Sequence, residues 1–377
     1  MSGLSTSKLD RQAPIGARML SGDRPLRVLM IGEGLDRQGG IVTVQKLILG
    51  MADGELAFRH VATLRDGSVL RKTRVFLQAV VQLIVSLLTR PVDIVHIHVS
   101  LGGSVYRQVV TGGITLLAGK PLVMHAHAGE FPEFFARLPG VMQRLTTLVF
   151  RRAARVVVLS EHWRTVYRDL LGLAPERLAV LTNPVAIPEA LPARAERPVK
   201  RLLYLGRMSE PKGAFDLVRA IGLLPEASLK ATQLTLAGDG ETETIRALVR
   251  SLDLEASITV RDWVGPAERD ALLEAADIFL LPSYFEGMPM ALLEAMSWGL
   301  ACIATPVGGI PDILRDGVNG ILVPAGDHAA LARAIDRLIH EPAGRLALGR
   351  AARNDMLPYA IDRYASRLRQ LYAEVAR

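Results

Sequence analysis

A strand-and-helix rhythm constrains this chain more than any single residue. From Leu26 onward, short runs rich in Val, Ile and Leu ("LRVLMIG", 26–32; "VDIVHIH", 92–98; "PLVMHAH", 121–127; "RVVVLS", 155–160) alternate with longer segments of helical period. Strands separated by helix-length connections run parallel, with helices covering both faces of the sheet. The rhythm breaks at "NPVAIPEALPARAERPVK" (183–200), with four prolines and no periodicity, which reads as a linker. It restarts with "RLLYLGR" (201–207), "QLTLAG" (233–238), "SITV" (257–260), "DIFLLPS" (277–283) and "ACIAT" (301–305). The reading is α/β: two Rossmann-like doubly wound domains, 25–183 and 200–357, joined by a linker at 184–199. Residues 358–377 space Tyr364, Leu368, Leu371, Tyr372 and Val375 on one helical stripe, so this tail should pack against a domain. Two such sheets hold ligands outside the C-terminal ends of their strands, so a shared ligand would lie in the cleft between domains.

Size agrees, because 377 residues that are 50% hydrophobic exceed what one core absorbs, about 250–300 residues. The net charge of +7 points to anionic partners: nucleic acid, a phosphorylated substrate or an acidic membrane. With 5% aromatics and no basic stretch interleaved with stacking residues, nucleic acid is not expected. The single cysteine, Cys302 in "LACIAT", permits no disulfide within the chain and reads as a small buried hydrophobe, so a cytoplasmic location is expected. Residues 1–24 carry no apolar core with a cleavage signal and read as a loose leader. The longest apolar stretch, 75–88, falls short of the ~20 residues a bilayer needs, so the chain is expected to be soluble or attached only to a membrane surface.

The loops that follow the strands carry the chemistry. "GEGLDRQGGIVTVQ" (32–45) places Gly39 and Gly40 before a helix, where backbone N–H groups could approach an anion; a plain tight turn is the alternative. The dinucleotide fingerprint fails, because Arg37 stands where its third glycine belongs. In "YLGRMSEPKGAFDLV" (204–218), Arg207 and Lys212 bracket a helix start whose dipole favours acids, which argues for an external anion such as a diphosphate; the alternative pairs Arg207 with Glu210. "SYFEGMPMALLEAMSWG" (283–299) sets Glu286 in a turn, Pro289 in the first turn of a helix and Glu294 inside it. Glu286 could accept from sugar hydroxyls, and Glu294, flanked by apolar residues, needs hydroxyl or cationic partners. "HIH" (96–98) and "HAHAGEF" (125–131) each put two imidazoles on one strand face. His127, at a strand end, could hydrogen-bond a sugar or assist proton movement, whereas His96 and His125 read as core histidines satisfied by backbone. A zinc site would need four converging ligands and is not expected.

Together, "GRMSEPKG", "GDG" at 238–240, Glu286-x7-Glu294 and "ATPVGGIPDIL" (304–314), with "GGIVTVQKL", "DIVHIH" and "HAHAGEF" upstream, resemble the retaining glycosyltransferases of the GT-B fold, family 4. The likeness covers nearly all of 26–340. It implies that two Rossmann-like domains face each other across a cleft, that the first lies on the acceptor side and the second binds a nucleotide sugar, and that the last helix crosses back to the first domain. It further implies that Arg207 and Lys212 bind the donor diphosphate, with Gly39 and Gly40 lining its other side. Glu286 would contact the transferred sugar and Glu294 the ribose. Gly240, Gly287, Met288, Pro289 and Met290 would complete the donor site, with the N–H groups of Met288 and Met290 sufficing where Pro289 removes one backbone donor from the turn. His127 would stand beside the reacting carbon, with Glu130 and His98 toward the acceptor.

The function expected is transfer of a hexose from a UDP- or GDP-linked sugar to an acceptor hydroxyl, with retention, without a cofactor and without a metal. The absence of an Asp-x-Asp at a strand end fits that, leaving Arg207, Lys212 and helix N-termini to stabilise the leaving diphosphate. A glycan or polyprenyl-diphosphate-linked sugar in bacterial polysaccharide assembly is the expected acceptor. Segments 65–88 and 134–155 combine Arg and Lys with apolar faces, suiting an anionic membrane surface at the inner face of the plasma membrane; solvated helices packed on a sheet are the alternative. Two other functions fit the same motifs: a sugar-nucleotide epimerase of this fold, and a non-catalytic subunit that binds nucleotide sugar.

Overall fold

The computed structural model describes residues 24–192, 194 and 197–377. The leader expected at 1–24 lies outside the described residues except for Arg24, whose guanidinium holds both oxygens of Asp93 at 3.0 and 3.1 Å. Six strands, β1 (Leu26–Glu33), β2 (Leu56–Leu64), β3 (Ile94–Val99), β4 (Leu122–Ala126), β5 (Arg155–Val158) and β6 (Leu178–Val180), form a first sheet in the order β2-β1-β3-β4-β5-β6. A second sheet holds β7 (Lys200–Leu205), β8 (Thr232–Ala237), β9 (Ile258–Arg261), β10 (Ile278–Leu281), β11 (Ala301–Ala304) and β12 (Ile321–Leu322), in the order β12-β11-β10-β7-β8-β9. Every strand pair in both is parallel. The architecture is two Rossmann-like α/β domains.

Helices on both faces leave the central strands nowhere to meet water. Every residue of β3, β4, β10 and β11 is buried, which is why these strands read as apolar runs, interrupted only by His96, His98 and His125. In each sheet the winding reverses at one point, between β1 and β3 in the first and between β7 and β10 in the second, and in sheets of this kind ligands bind outside the strand ends at such a point. Gly39 and Gly40 follow β1; Arg207 and Lys212 follow β7; Glu286 follows β10.

The proline-rich segment is not a free tether. Arg194 donates to the carbonyls of Glu274 at 3.3 Å and Trp298 at 2.9 Å, which pins it to the second domain. The last helix, Ile361–Val375, buries its Tyr364, Leu368, Leu371, Tyr372 and Val375 stripe against the first sheet. There the Tyr372 hydroxyl lies 2.6 Å from His96 Nδ1 and its ring tilts onto Phe58. One length expectation needs correcting. The apolar stretch counted from Val75 belongs to a helix of 21 residues, Val69–Thr89, because Arg71, Lys72 and Arg74 interrupt the apolar run without interrupting the helix. By length and composition it could cross a bilayer, yet Ala79 and Leu83 pack onto the sheet, so it lies along the domain.

Candidate active site

The second domain's strand-end loops are pressed together at glycines. Gly213, in the left-handed conformation at φ 67°, comes so near the loop after β10 that a Cβ would sit 2.0 Å from the Pro282 carbonyl oxygen. This contact brings Lys212 over Glu286: Nζ donates to Oε1 at 2.7 Å, and the Ser283 hydroxyl donates to the same oxygen at 2.8 Å. A carboxylate only 7% exposed is tolerable because those two donors compensate its lost hydration. Oε2 accepts from no group among the described residues, leaving it for an external hydroxyl. Arg207 is exposed and forms no ion pair among the described residues. Glu210, its alternative partner, lies 3.9 Å from Arg219 instead.

Two helix N-termini meet across the cleft. Helix Gly40–Leu49 of the first domain and helix Met290–Ser297 of the second begin against each other, with a Cβ on Gly40 falling 3.4 Å from Met290 Cγ. Neither has a side-chain cap or an acid in its first turn. Their first N–H groups and positive dipole ends are therefore uncompensated on the ligand side. Pro289 takes the N-cap, one position earlier than the first-turn placement the sequence suggested, so its missing N–H removes none of the helix's own orphan donors.

Glu294 lies within that second helix and accepts from Arg269 Nη1 at 2.7 Å. Burial raises its carboxyl to about 7, while Arg269 works against the rise. An acid whose folded value exceeds its ordinary 4.5 contributes stability that is present below 4.5 and lost as pH rises through 7. Glu294→Gln is therefore expected to match the wild-type Tm at pH 4.5 and to exceed it by about 2–5 °C at pH 8. Scanning calorimetry of the ligand-free protein at both pH values checks this; an equal difference at each would refute it.

The turn carrying Glu286 is held by both domains. A Cβ on Gly287 would stand 2.3 Å from the His127 carbonyl oxygen, and one on Gly129 would stand 2.4 Å from the Glu286 carbonyl carbon. Trp163 Nε1 donates to the Gly287 carbonyl at 2.8 Å, and Asn183 Nδ2 to the Met288 carbonyl at 3.0 Å. Gly308, at φ 54°, approaches Glu286 so closely that a Cβ would fall 1.8 Å from its carbonyl oxygen. Sequence reasoning passed over Trp163 and quoted Gly129, Asn183, Ser283 and Gly308 only inside longer stretches, without giving them a role. The Gly-Gly pair was the available signal for Gly308.

Behind His127 lies a stack of imidazoles. His98 Nδ1 and His127 Nε2 share a hydrogen bond of 2.8 Å, and His96 Nε2 and His125 Nδ1 one of 3.2 Å. The expectation that backbone would satisfy His96 and His125 is corrected: their ring partners are each other and Tyr372. The register of β3 with β4 sets His98 beside His125, which builds the cluster. His98 is also corrected, because at 2% exposure it sits beneath His127 rather than toward an acceptor, and fixes that ring's orientation. Burial lowers His127 to about 3, so its imidazole is neutral at physiological pH. His96, His98 and His125 offer ring nitrogens within 4.8 Å of one another, but both nitrogens of His96 are already engaged, so coordination would break existing bonds. Glu130 is partly exposed where the loop after β4 enters helix Phe131–Ala136. Gly240, at φ 103°, folds its loop onto Met208 and Arg207.

Comparison with known proteins agrees with this geometry. Residues 26–184 match the family described as "Glycosyl transferase 4-like domain", and residues 199–341 match "Glycosyl transferases group 1". The chain is 30% identical over 311 residues to a D-inositol 3-phosphate glycosyltransferase of Streptosporangium roseum, spanning 74% of this chain and 69% of that protein. It is likewise 30% identical over 285 residues to the protein of that name in Pseudarthrobacter chlorophenolicus, spanning 69% of this chain and 65% of the relative's length. Among solved structures, Anabaena HepE in complex with UDP and glucose superimposes with a TM-score of 0.73 at 18% identity, over 92% of this chain and 99% of that one.

Proposed function

The chain belongs to the glycosyl transferases group 1 family, with two Rossmann-like domains in the GT-B arrangement, and from that premise we propose that it is a glycosyltransferase that moves a hexose from a UDP- or GDP-linked sugar to an acceptor hydroxyl with retention. Residues 200–357 form the donor side and 25–183 the acceptor side. One observation carries the reading: Lys212 and Glu286, from adjacent strand ends of one sheet, meet at 2.7 Å directly against the His127–Gly129 backbone of the other. The UDP and glucose held by HepE support a nucleotide-sugar donor.

As the bond from the anomeric carbon to the diphosphate breaks, negative charge grows on the leaving oxygen. The exposed Arg207, the Glu286-bound Lys212 and the two uncapped helix N-termini stabilise it, and these preorganised donors act most strongly where water is excluded. Glu286 accepts from sugar hydroxyls through Oε2, and Glu294 holds the ribose. With Glu286 Oε1 held by Lys212 and Ser283 and Oε2 given to a sugar hydroxyl, neither oxygen is left to attack the anomeric carbon, so a same-face route is favoured over a covalent glycosyl-carboxylate. In that route the leaving phosphate oxygen takes the acceptor's proton as the new glycosidic bond forms on the vacated face. A neutral His127 orients the sugar. The acceptor proposed is a glycan or a polyprenyl-diphosphate-linked sugar, met on the cytoplasmic side of the membrane.

Thermal shifts with UDP-, GDP- and dTDP-sugars identify the donor, because a ligand at 100 times its Kd adds about 2.7 kcal/mol. One nucleotide is expected to stabilise the protein strongly and the others weakly. Product NMR should then show the donor's anomeric configuration preserved, with turnover unaffected by EDTA. Conversion of donor without any acceptor would replace transfer with epimerisation, and an inverted product would refute retention.

A further inference from the structure

We infer that the outer face of the first domain docks on an anionic lipid bilayer, with helix Val69–Thr89 lying along the headgroup plane. This helix is apolar on two sides. Ala79 and Leu83 are buried on the sheet, while Leu70, Leu77, Val81, Ile84, Val85 and Leu88 are 40–80% exposed. At 3.6 residues per turn those six positions fall within an arc of about 100°, a continuous stripe. A helix apolar all round belongs inside something, and here the protein covers only one side of it. Helix Gly103–Leu117 packs beside it and helix Gly140–Arg152 beside that, and each turns apolar residues outward: Leu117 is 91% exposed and Val141 67%. Single exposed apolar residues are ordinary on any protein, but stripes on three adjacent helices make a patch that marks an interaction surface.

Charge identifies the occupant. Between Gly67 and Ser160, eleven Lys and Arg stand against three Asp and Glu, a surplus of eight where the whole chain has seven. The protein's positive charge thus resides in the segment that carries the apolar patch. A second copy docking symmetrically would set this surplus against itself, whereas anionic headgroups complement it. Arg71, Lys72 and Arg74 are exposed, form no ion pair among the described residues, and occupy the first turns of a helix whose dipole favours acids. This helix follows β2, so its cationic end lies at the C-terminal edge of the sheet, on the rim of the cleft. Lipid contact there would bring a lipid-linked acceptor to the mouth of the site. That consequence rests on the acceptor reading above; the docking itself does not.

Flotation of the full chain with vesicles, donor and acceptor omitted, tests docking alone. Vesicles containing about a third phosphatidylglycerol should capture the protein at low salt, pure phosphatidylcholine should not, and half-molar NaCl should release it. Arg71→Glu, Lys72→Glu and Arg74→Glu combined should weaken partition on the order of 100-fold. Leu77→Ser, Val81→Ser and Leu88→Ser combined should weaken it at least about tenfold with Tm unchanged, since all three side chains are exposed. No capture at low salt, capture indifferent to both variants, or a concentration-dependent dimer abolished by the serine variant would each overturn the proposal. Because no substrate is present, such a failure leaves the sugar-transfer reading standing, while docking without turnover would sink that reading alone.

Discussion

Replacing Arg207 and Lys212 together by alanine is expected to lower kcat/KM by about 100- to 10,000-fold. Each charged hydrogen bond to a diphosphate contributes about 1.5–3 kcal/mol, or roughly 10–100-fold in rate. The two single variants should separate in stability. Arg207 is exposed and forms no ion pair among the described residues, so Arg207→Ala should leave Tm where it is. Lys212 holds the buried Glu286, and its loss leaves that acid with only Ser283, so Lys212→Ala should lose activity and also lower Tm. Steady-state kinetics beside calorimetry distinguishes the two roles. Turnover near wild-type in either single variant would remove that residue from the donor site.

The second large effect involves no charged group. Gly287→Ala would drive a Cβ to 2.3 Å from the His127 carbonyl oxygen, and Gly129→Ala would drive one to 2.4 Å from the Glu286 carbonyl carbon. Each obstacle is backbone of the opposite domain, which cannot rotate aside as a side chain can. The two walls must separate by about an ångström, and a displacement of that size at a reacting centre costs on the order of 100-fold in rate. Stability should fall far less, because the strain is relieved by moving the domains apart. Gly140→Ala is the control: a Cβ there meets nothing within 4 Å, and wild-type kinetics are expected. Unaltered kcat in Gly287→Ala would mean that this close approach is not needed for turnover.

The two-sheet fold was legible because fully buried strands leave nothing but apolar residues to read, as in β10 and β11. β2 escaped notice because it lies at the sheet edge with Arg59 and His60 among its residues, and β12 because it is two residues long. Within the site, Lys212 and Glu286 were visible as charged groups at strand ends. Trp163 and Asn183 were not, because what they recognise is a carbonyl, which every residue possesses and no pattern advertises. The histidine pairs could be counted in advance, but which ring meets which follows from the register that puts His98 beside His125.

The chain passes between its domains twice, and the two passages run side by side. Val185, leaving the first domain, bridges Ala360, which is returning to it, and the Val185 amide donates to the Tyr359 carbonyl at 3.0 Å. A single tether would let the halves swivel in any direction. A doubled one resists twist and slide and bends most readily about the line where the segments pair. Any motion of one half toward or away from the other would thus reduce to one angle, like pages turning on a spine, and would bring the Glu286–Gly287 turn back against the same His127–Gly129 backbone.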